Sequence, residues 1–214
     1  MRIELLRHGE CADNAWLRGR TDSPLNPQGW AQMQTAWPKS EPSRLISSPL
    51  VRCAGFVQTQ LQTRPVEFSS NAFSESVFDE SWQERDFGLF DGLPYGSVQT
   101  QFPGLLQAYL QDPFHTDIPG AEPYAAFKQR VLAAWQHTLQ QALADKVEYL
   151  LIVTHGGPMR LVLQSVLGIE DRQLFQLQIG YGCRVGIEVT ATPEGPFCQL
   201  REIIQADSWQ EKTE

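Results

Sequence analysis

Arg7 and His8 stand side by side where a short apolar run, Arg2–Leu6, is broken by Gly9. The run alternates well enough to be a strand, and the glycine ends it. Both side chains therefore fall at a strand's C-terminal end, the edge at which α/β sheets bind ligands. An arginine can hold a phosphate through two hydrogen bonds, and an imidazole can attack its phosphorus. Alone, such a pair is a common surface feature. Its chemistry depends on what distant segments add.

Three segments add to it. Ser47-Ser48-Pro49-Leu50-Val51-Arg52-Cys53 follows a second short strand, Arg44–Ile46, and opens a helix that runs to about Leu61. Arg52 then lies in the first turn, where free N–H groups and the helix dipole favour anions. Tyr149–Val153 are five consecutive apolar residues, the pattern of a strand buried on both faces. That strand stops at His155. Gly156, Gly157 and Pro158 follow, and a helix is expected from Pro158 to about Leu167, ending at Gly168. The third segment, Trp82–Gly92, suits a loop over a site and offers three carboxylates, Glu84, Asp86 and Asp91. Any of them can serve as a proton donor if its surroundings hold the proton, and spacing does not choose among them.

Together these residues resemble the histidine phosphatase superfamily, in the branch that includes the cofactor-dependent phosphoglycerate mutases. The resemblance rests on Arg7-His8-Gly9-Glu10 with Asn14, Ser48–Arg52, Glu84 with Phe87-Gly88 and Asp91-Gly92, and Thr154–Arg160. The motifs occur in the family's order. Within the family, Gly19–Leu25, Ile118–Glu122 leading to Phe127 and Arg130, and Gly182-Cys183 resemble α-ribazole phosphatases of cobalamin assembly. The fold so implied is α/β: a three-layer α/β/α sandwich with a mostly parallel central sheet, phosphoglycerate mutase-like.

The resemblance also implies roles. His8 is the expected nucleophile. Arg7, Arg52 and His155 are expected to hold the phosphoryl oxygens, helped by Asn14 and the backbone of Gly156. Glu84 is the expected proton donor and later base, and Arg18 and Gly19 the expected substrate-facing positions. Two arginines and a cationic histidine would offset the charge of a phosphate monoester, while neighbouring cations keep His8 neutral. The scheme calls for no metal and no cofactor. The expected activity is hydrolysis of a small phosphorylated metabolite, with α-ribazole 5′-phosphate a candidate. The rivals are a phosphoglycerate mutase-type phosphotransferase and a noncatalytic phospho-ligand binder. Cys11, Trp82 and Gly120-Ala121-Glu122-Pro123 depart from the family's usual residues without removing an expected catalytic group.

The chain has 214 residues, 42% hydrophobic and 20% charged, which suits one α/β domain over 1–214. A formal net charge of −8 argues against nucleic acid or an anionic membrane as partner. Arg7-His8 interrupts the N-terminal apolar run, so no signal peptide is expected, and no window is apolar enough for a membrane span. Cys11, Cys53, Cys183 and Cys198 form no close pairs and read as reduced thiols of a cytoplasmic protein, monomer or homodimer.

The remaining elements must carry these groups. Pro27–Trp37 reads as a helix beginning near Asn26, and Val66–Phe68 as a short strand. Residues 94–111 read as helix broken at Pro103-Gly104, and 112–120 as loop. A helix over about 123–144 puts Phe127, Val131, Ala134, Thr138 and Ala142 on one core-facing stripe. Residues 184–191 and 197–204 read as a hairpin, and the tail from Gln205 as frayed. His137 reads as a solvated surface residue. His115 lies in a loop able to cover the pocket and reads as having no role. The six tryptophans read as core or pocket wall.

Overall fold

Strands and helices alternate through the first half of the chain in the computed structural model, which describes residues 1–13, 15–63 and 77–206. In order they are β1 (Arg2–Arg7), α1 (Pro27–Ala36), β2 (Arg44–Ser47), α2 (Val51–Gln62), β3 (Val77–Phe78), α3 (Tyr95–Gln101), α4 (Pro103–Gln111), α5 (Tyr124–Ala144), β4 (Tyr149–Thr154), α6 (Gly156–Leu167), β5 (Arg184–Thr192) and β6 (Gly195–Ile204). Short 3-10 turns lie at Glu80–Trp82, Gly88–Phe90 and Asp171–Gln176.

The strands form one sheet in the order β3-β2-β4-β1-β5-β6. The pairs β3/β2, β2/β4 and β4/β1 are parallel, and β1/β5 and β5/β6 antiparallel. Every residue of β4 is buried because helices cover both faces. The strand period of two divides its side chains between layers. Leu150 and Ile152 pack with Ala134 of α5 and Met159 of α6. Leu151 and Val153 pack with Met33 of α1 and Phe56 of α2. This is the expected three-layer sandwich.

Local signals explain most boundaries. Asn26 caps α1, its Oδ1 accepting from Gly29 N at 2.7 Å, and Pro27 sits at the first helical position. The expected stripe on α5 is buried throughout, joined by Trp135 and Leu139. The break in 94–111 falls at Phe102, and Pro103 opens α4. α6 begins two residues earlier than expected, at Gly156, because His155 already has the extended backbone of an N-cap. It ends at Gly168, whose φ of 66° is the left-handed conformation glycine allows. The short strand expected at Val66–Phe68 lies outside the described residues. β3 and the turn at 171–176 are additions.

Parallel register sets the site. Arg7 pairs with Thr154, and Ser47 with Val153. His8 N donates to Thr154 O at 3.0 Å, and Ser48 N to Val153 O at 2.9 Å. The three strands therefore end level, with His8, Ser48 and His155 on one edge. A separate small core of Phe90, Val98, Leu106, Tyr109 and Ile118 packs α3 and α4 together, and Tyr109 also walls the cleft at that edge.

Candidate active site

The backbone of His8 is held on both sides. Its N–H reaches Thr154, and its carbonyl accepts from Gly182 N at 3.2 Å. Beyond it, Gly9 meets Gly29 of α1 so closely that a Cβ on either would overlap the other segment's backbone. The ring is 3% exposed and lines the cleft. Its Nδ1 lies 2.7 Å from Gly9 O. A carbonyl only accepts, so Nδ1 carries the proton and Nε2 keeps its lone pair. Nε2 has no hydrogen-bond partner among the described residues. Burial first, then Arg52 and Arg7, push the His8 pKa well below its ordinary value. The expected nucleophile, His8, is thus neutral and oriented, with Nε2 unprotonated.

His155 lies behind it, with ring centroids 5.1 Å apart and planes at 62°. Arg52 Nε donates to His155 Nδ1 at 3.2 Å, and His155 Nε2 donates to Ser48 Oγ at 2.7 Å. A nitrogen that accepts from a guanidinium carries no proton, so this imidazole is neutral. Burial, Arg52 and His8 push its pKa well below the usual range. The expectation of a cationic histidine is corrected here: the positive charge belongs to the arginines, which do not deprotonate.

Arg52 is fully buried. Its Nη1 donates to Thr21 O at 2.8 Å, and its Nη2 to Gly19 O at 2.6 Å and Arg18 O at 3.3 Å. It therefore braces both His155 and the 18–21 loop. Asp91 grips the same loop from the other side. Its Oδ1 accepts from Gly19 N at 3.1 Å and Thr21 N at 3.0 Å; its Oδ2 accepts from Arg20 N at 2.8 Å and Phe87 N at 3.1 Å. Gly19 belongs to this brace and does not line the cleft; a Cβ there would overlap Arg85 O and the Asp91 carboxylate. Arg18 does line the cleft, paired with Asp13 and with its Nη1 3.4 Å from Tyr181 Oη. Asn14 lies outside the described residues.

Arg7 Nη1 donates to Ile179 O at 2.5 Å, and its guanidinium sits 4.3 Å over the Tyr181 ring. Its Nε is buried without a hydrogen-bond partner among the described residues. Gly156 opens α6, where the first N–H groups have no helical acceptor. A Cβ at Gly156 would lie 3.1 Å from Arg160 Nη1 and 3.4 Å from Arg7 Nε, so the two guanidiniums bracket this amide. A bare glycine lets an anion approach that amide.

Of the three candidate carboxylates, Glu84 alone lines the cleft. Its Oε2 accepts from Gly157 N at 2.9 Å and its Oε1 from Arg85 N at 3.0 Å. Asp86 closes a turn onto Gly88 N at 2.8 Å, and Asp91 is occupied as described. His115 is exposed and pairs with Asp112, and His137 is exposed. Trp82 and Trp135 are core, and Trp16 is cleft wall.

Among the cleft residues that received no role from the sequence are Arg160, Tyr181 and Arg85. Arg160 is one helical turn after Gly156, a spacing that could have flagged it. Tyr181 stands between two glycines just before β5, the strand beside β1, and touches Arg7, His8 and Arg18. Arg85 carried no signal beyond its neighbour Glu84.

Known proteins resemble this chain in sequence and fold. A bifunctional protein of Mycobacterium tuberculosis is 26% identical over 184 residues, 83% of this chain and 47% of that protein. The chain thus spans about half the length of that relative. A Salmonella paratyphi C protein named Probable phosphoglycerate mutase GpmB is 26% identical over 172 residues, 79% of this chain and 76% of its own. The crystal structure of the α-ribazole phosphatase from Shigella flexneri superposes with a TM-score of 0.79 at 21% identity, covering 96% of this chain and 97% of that one; it shares the fold. With a family model matching residues 3–200, the chain belongs to the histidine phosphatase superfamily (branch 1).

Proposed function

We propose that the protein is a metal-independent phosphomonoesterase acting on a small phosphorylated metabolite through a phosphohistidine at His8. The observation that carries this reading is the His8 ring: Nδ1 is tied to Gly9 O, so Nε2 is left unprotonated at the cleft. In the first step Nε2 attacks phosphorus as the bond to the alcohol oxygen breaks, and Glu84 gives that oxygen its proton. In the second, Glu84 takes a proton from water as the water oxygen attacks phosphorus and the P–N bond breaks. Arg7 and the Gly156 amide hold phosphoryl oxygens. Arg52 and His155 support His8 from behind and would reach those oxygens only by exchanging bonds they now make. Asn14 joins this set by its place in the motif.

The finer reading, α-ribazole 5′-phosphate in cobalamin biosynthesis, is supported by the Gly19–Leu25, Ile118–Glu122 and Gly182-Cys183 stretches and by likeness of fold to the Shigella enzyme. The mutase reading has the Salmonella relative behind it. Product analysis with 3-phosphoglycerate and a bisphosphate primer separates the two. We extend the proposal to one domain in the cytoplasm, monomer or homodimer. Four free cysteines, and no described helix long and apolar enough to cross a membrane, support that setting.

The decisive test is His8→Ala assayed on an aryl phosphate and by acid-quench trapping of phosphoenzyme. Loss of both with retained fold is expected, and full activity in that variant overturns the proposal. Glu84→Gln should slow alkyl esters far more than activated aryl esters. Equal slowing would move the proton donor elsewhere.

A further inference from the structure

Beyond the phosphoryl end, the cleft wall is apolar and aromatic. Phe114 packs on Tyr124 with centroids 4.9 Å apart and stacks on Phe175 at 5.5 Å and 27°. Phe127, Leu161 and Leu174 continue the wall. Phe175 is 61% exposed, so its ring is accessible from the cleft it lines. The wall is also built to stay put. Tyr124 Oη donates to Asp171 Oδ1 at 2.9 Å, which also accepts from Lys128 Nζ at 2.6 Å and Gln164 Nε2 at 2.7 Å. Arg85 ties both ends of the 113–122 segment to the cleft, Nε to Glu122 O at 2.8 Å and Nη1 to Pro113 O at 3.1 Å.

Four arginines line the cleft. Arg7 and Arg160 flank Gly156, whose amide is the proposed phosphoryl contact. Arg18 is compensated by Asp13. Arg85 is seated on two carbonyls. Among the described residues that line this half of the cleft, Arg85 is the one cation without a carboxylate partner; its guanidinium is held 5.9 Å from the Tyr124 ring by its two carbonyl bonds, and the Glu84 carboxylate would repel a second anionic group.

We infer that the Phe114–Tyr124–Phe175 wall is a subsite for a flat aromatic group on the substrate's alcohol, and that this alcohol carries no second anionic group. The inference rests on the phosphatase reading above but needs only that the phosphoryl group sits at His8. Ring stacking on such a wall is worth about tenfold in affinity.

The test uses alkyl alcohols of similar leaving ability, so that chemistry does not mask binding. Wild-type kcat/KM is expected to be at least about tenfold higher for 2-phenylethyl phosphate than for n-propyl phosphate, glycerol 1-phosphate or 3-phosphoglycerate. Phe175→Ala should narrow the phenylethyl-to-propyl ratio toward one, and Phe175→Trp should restore it. Preference for 3-phosphoglycerate, or a ratio indifferent to residue 175, overturns the inference. If no ester is turned over, the phosphatase reading fails separately, and binding decides the subsite. At least about tenfold tighter binding of 2-phenylethylphosphonate than methylphosphonate supports it, and equal affinity overturns it.

Discussion

Asp91→Asn tests how the site is held. The wild-type carboxylate accepts four backbone N–H groups, two on each oxygen, from Gly19, Arg20, Thr21 and Phe87. An asparagine keeps one oxygen and turns an NH2 group toward two donors. Two bonds to a charged acceptor are lost. Bonds to a charged group contribute about 1.5–3 kcal/mol each, and Asp91 is only half-buried, so solvent screening brings the pair to or below the lower end: about 2–3 kcal/mol in total. In a chain of this length that is a fall in Tm of about 4–12 °C. Burial raises the Asp91 pKa, but the hydrogen bonds from Thr21, Arg20 and Phe87 outweigh it and lower it overall. Its contribution is therefore present above the unfolded carboxyl pKa and lost as pH falls through the lower folded value. The variant should match wild type more closely in strong acid than at pH 7. Activity should fall too, because Arg52 reads the carbonyls of the same loop and passes its position to His155. About a tenfold loss in kcat, equal for aryl and alkyl esters, is expected, since a brace does not distinguish leaving groups. Urea denaturation and steady-state kinetics measure both. A Tm within about 1 °C of wild type, with kcat within about twofold, refutes the brace.

Two further outcomes follow from the geometry. A Cβ on Gly157 would overlap Glu84 Oε1 and come within 2.9 Å of its Cδ, so Gly157→Ala should displace the carboxylate and slow alkyl phosphates by about 10–10² with a smaller effect on p-nitrophenyl phosphate; equal rates for Gly157→Ala and wild type on alkyl esters would show that Glu84 is not needed there. His8 and His155 are buried with lowered pKa values, so the unfolded chain binds more protons as pH falls below the ordinary histidine value of about 6.5. Stability is then present above that pH and lost below it, on the order of 2 kcal/mol per histidine between pH 7 and pH 5 if neither protonates while folded. The urea midpoint should drop over that range, by less in His8→Asn; a flat midpoint sinks the claim.

The sequence was informative where chemistry and periodicity coincide. Arg7-His8-Gly9 reads as a strand end and a nucleophile at once, and Thr154-His155-Gly156 likewise. Both sit where three strands end level. The stripe on α5 was legible because one helix face carries it. What the sequence hid depends on the third dimension. Spacing did not separate Glu84 from Asp86 and Asp91, because the difference lies in which backbone amides each meets. Gly19 looked like a substrate-facing glycine and is instead a close contact with Arg85 and Asp91. The aromatic wall joins residues 114, 124 and 175, three segments with no sequence relation.

The charge state of the second histidine has a wider consequence. A dianionic ester needs positive charge, yet a nucleophilic imidazole must be unprotonated. A site that drew its charge from histidine would meet both needs only in a narrow pH window. Here the two demands fall on different side chains. Arg52 donates to His155, which fixes that ring as neutral, and the arginines keep their charge at any physiological pH. The same cations, with burial, hold His8 neutral. On the proposed reading, one arrangement supplies the field that would attract the phosphate and the lone pair that would attack it. It also shows how a chain with 25 acidic and 17 basic residues could serve an anion, with a few guanidiniums concentrated at one sheet edge.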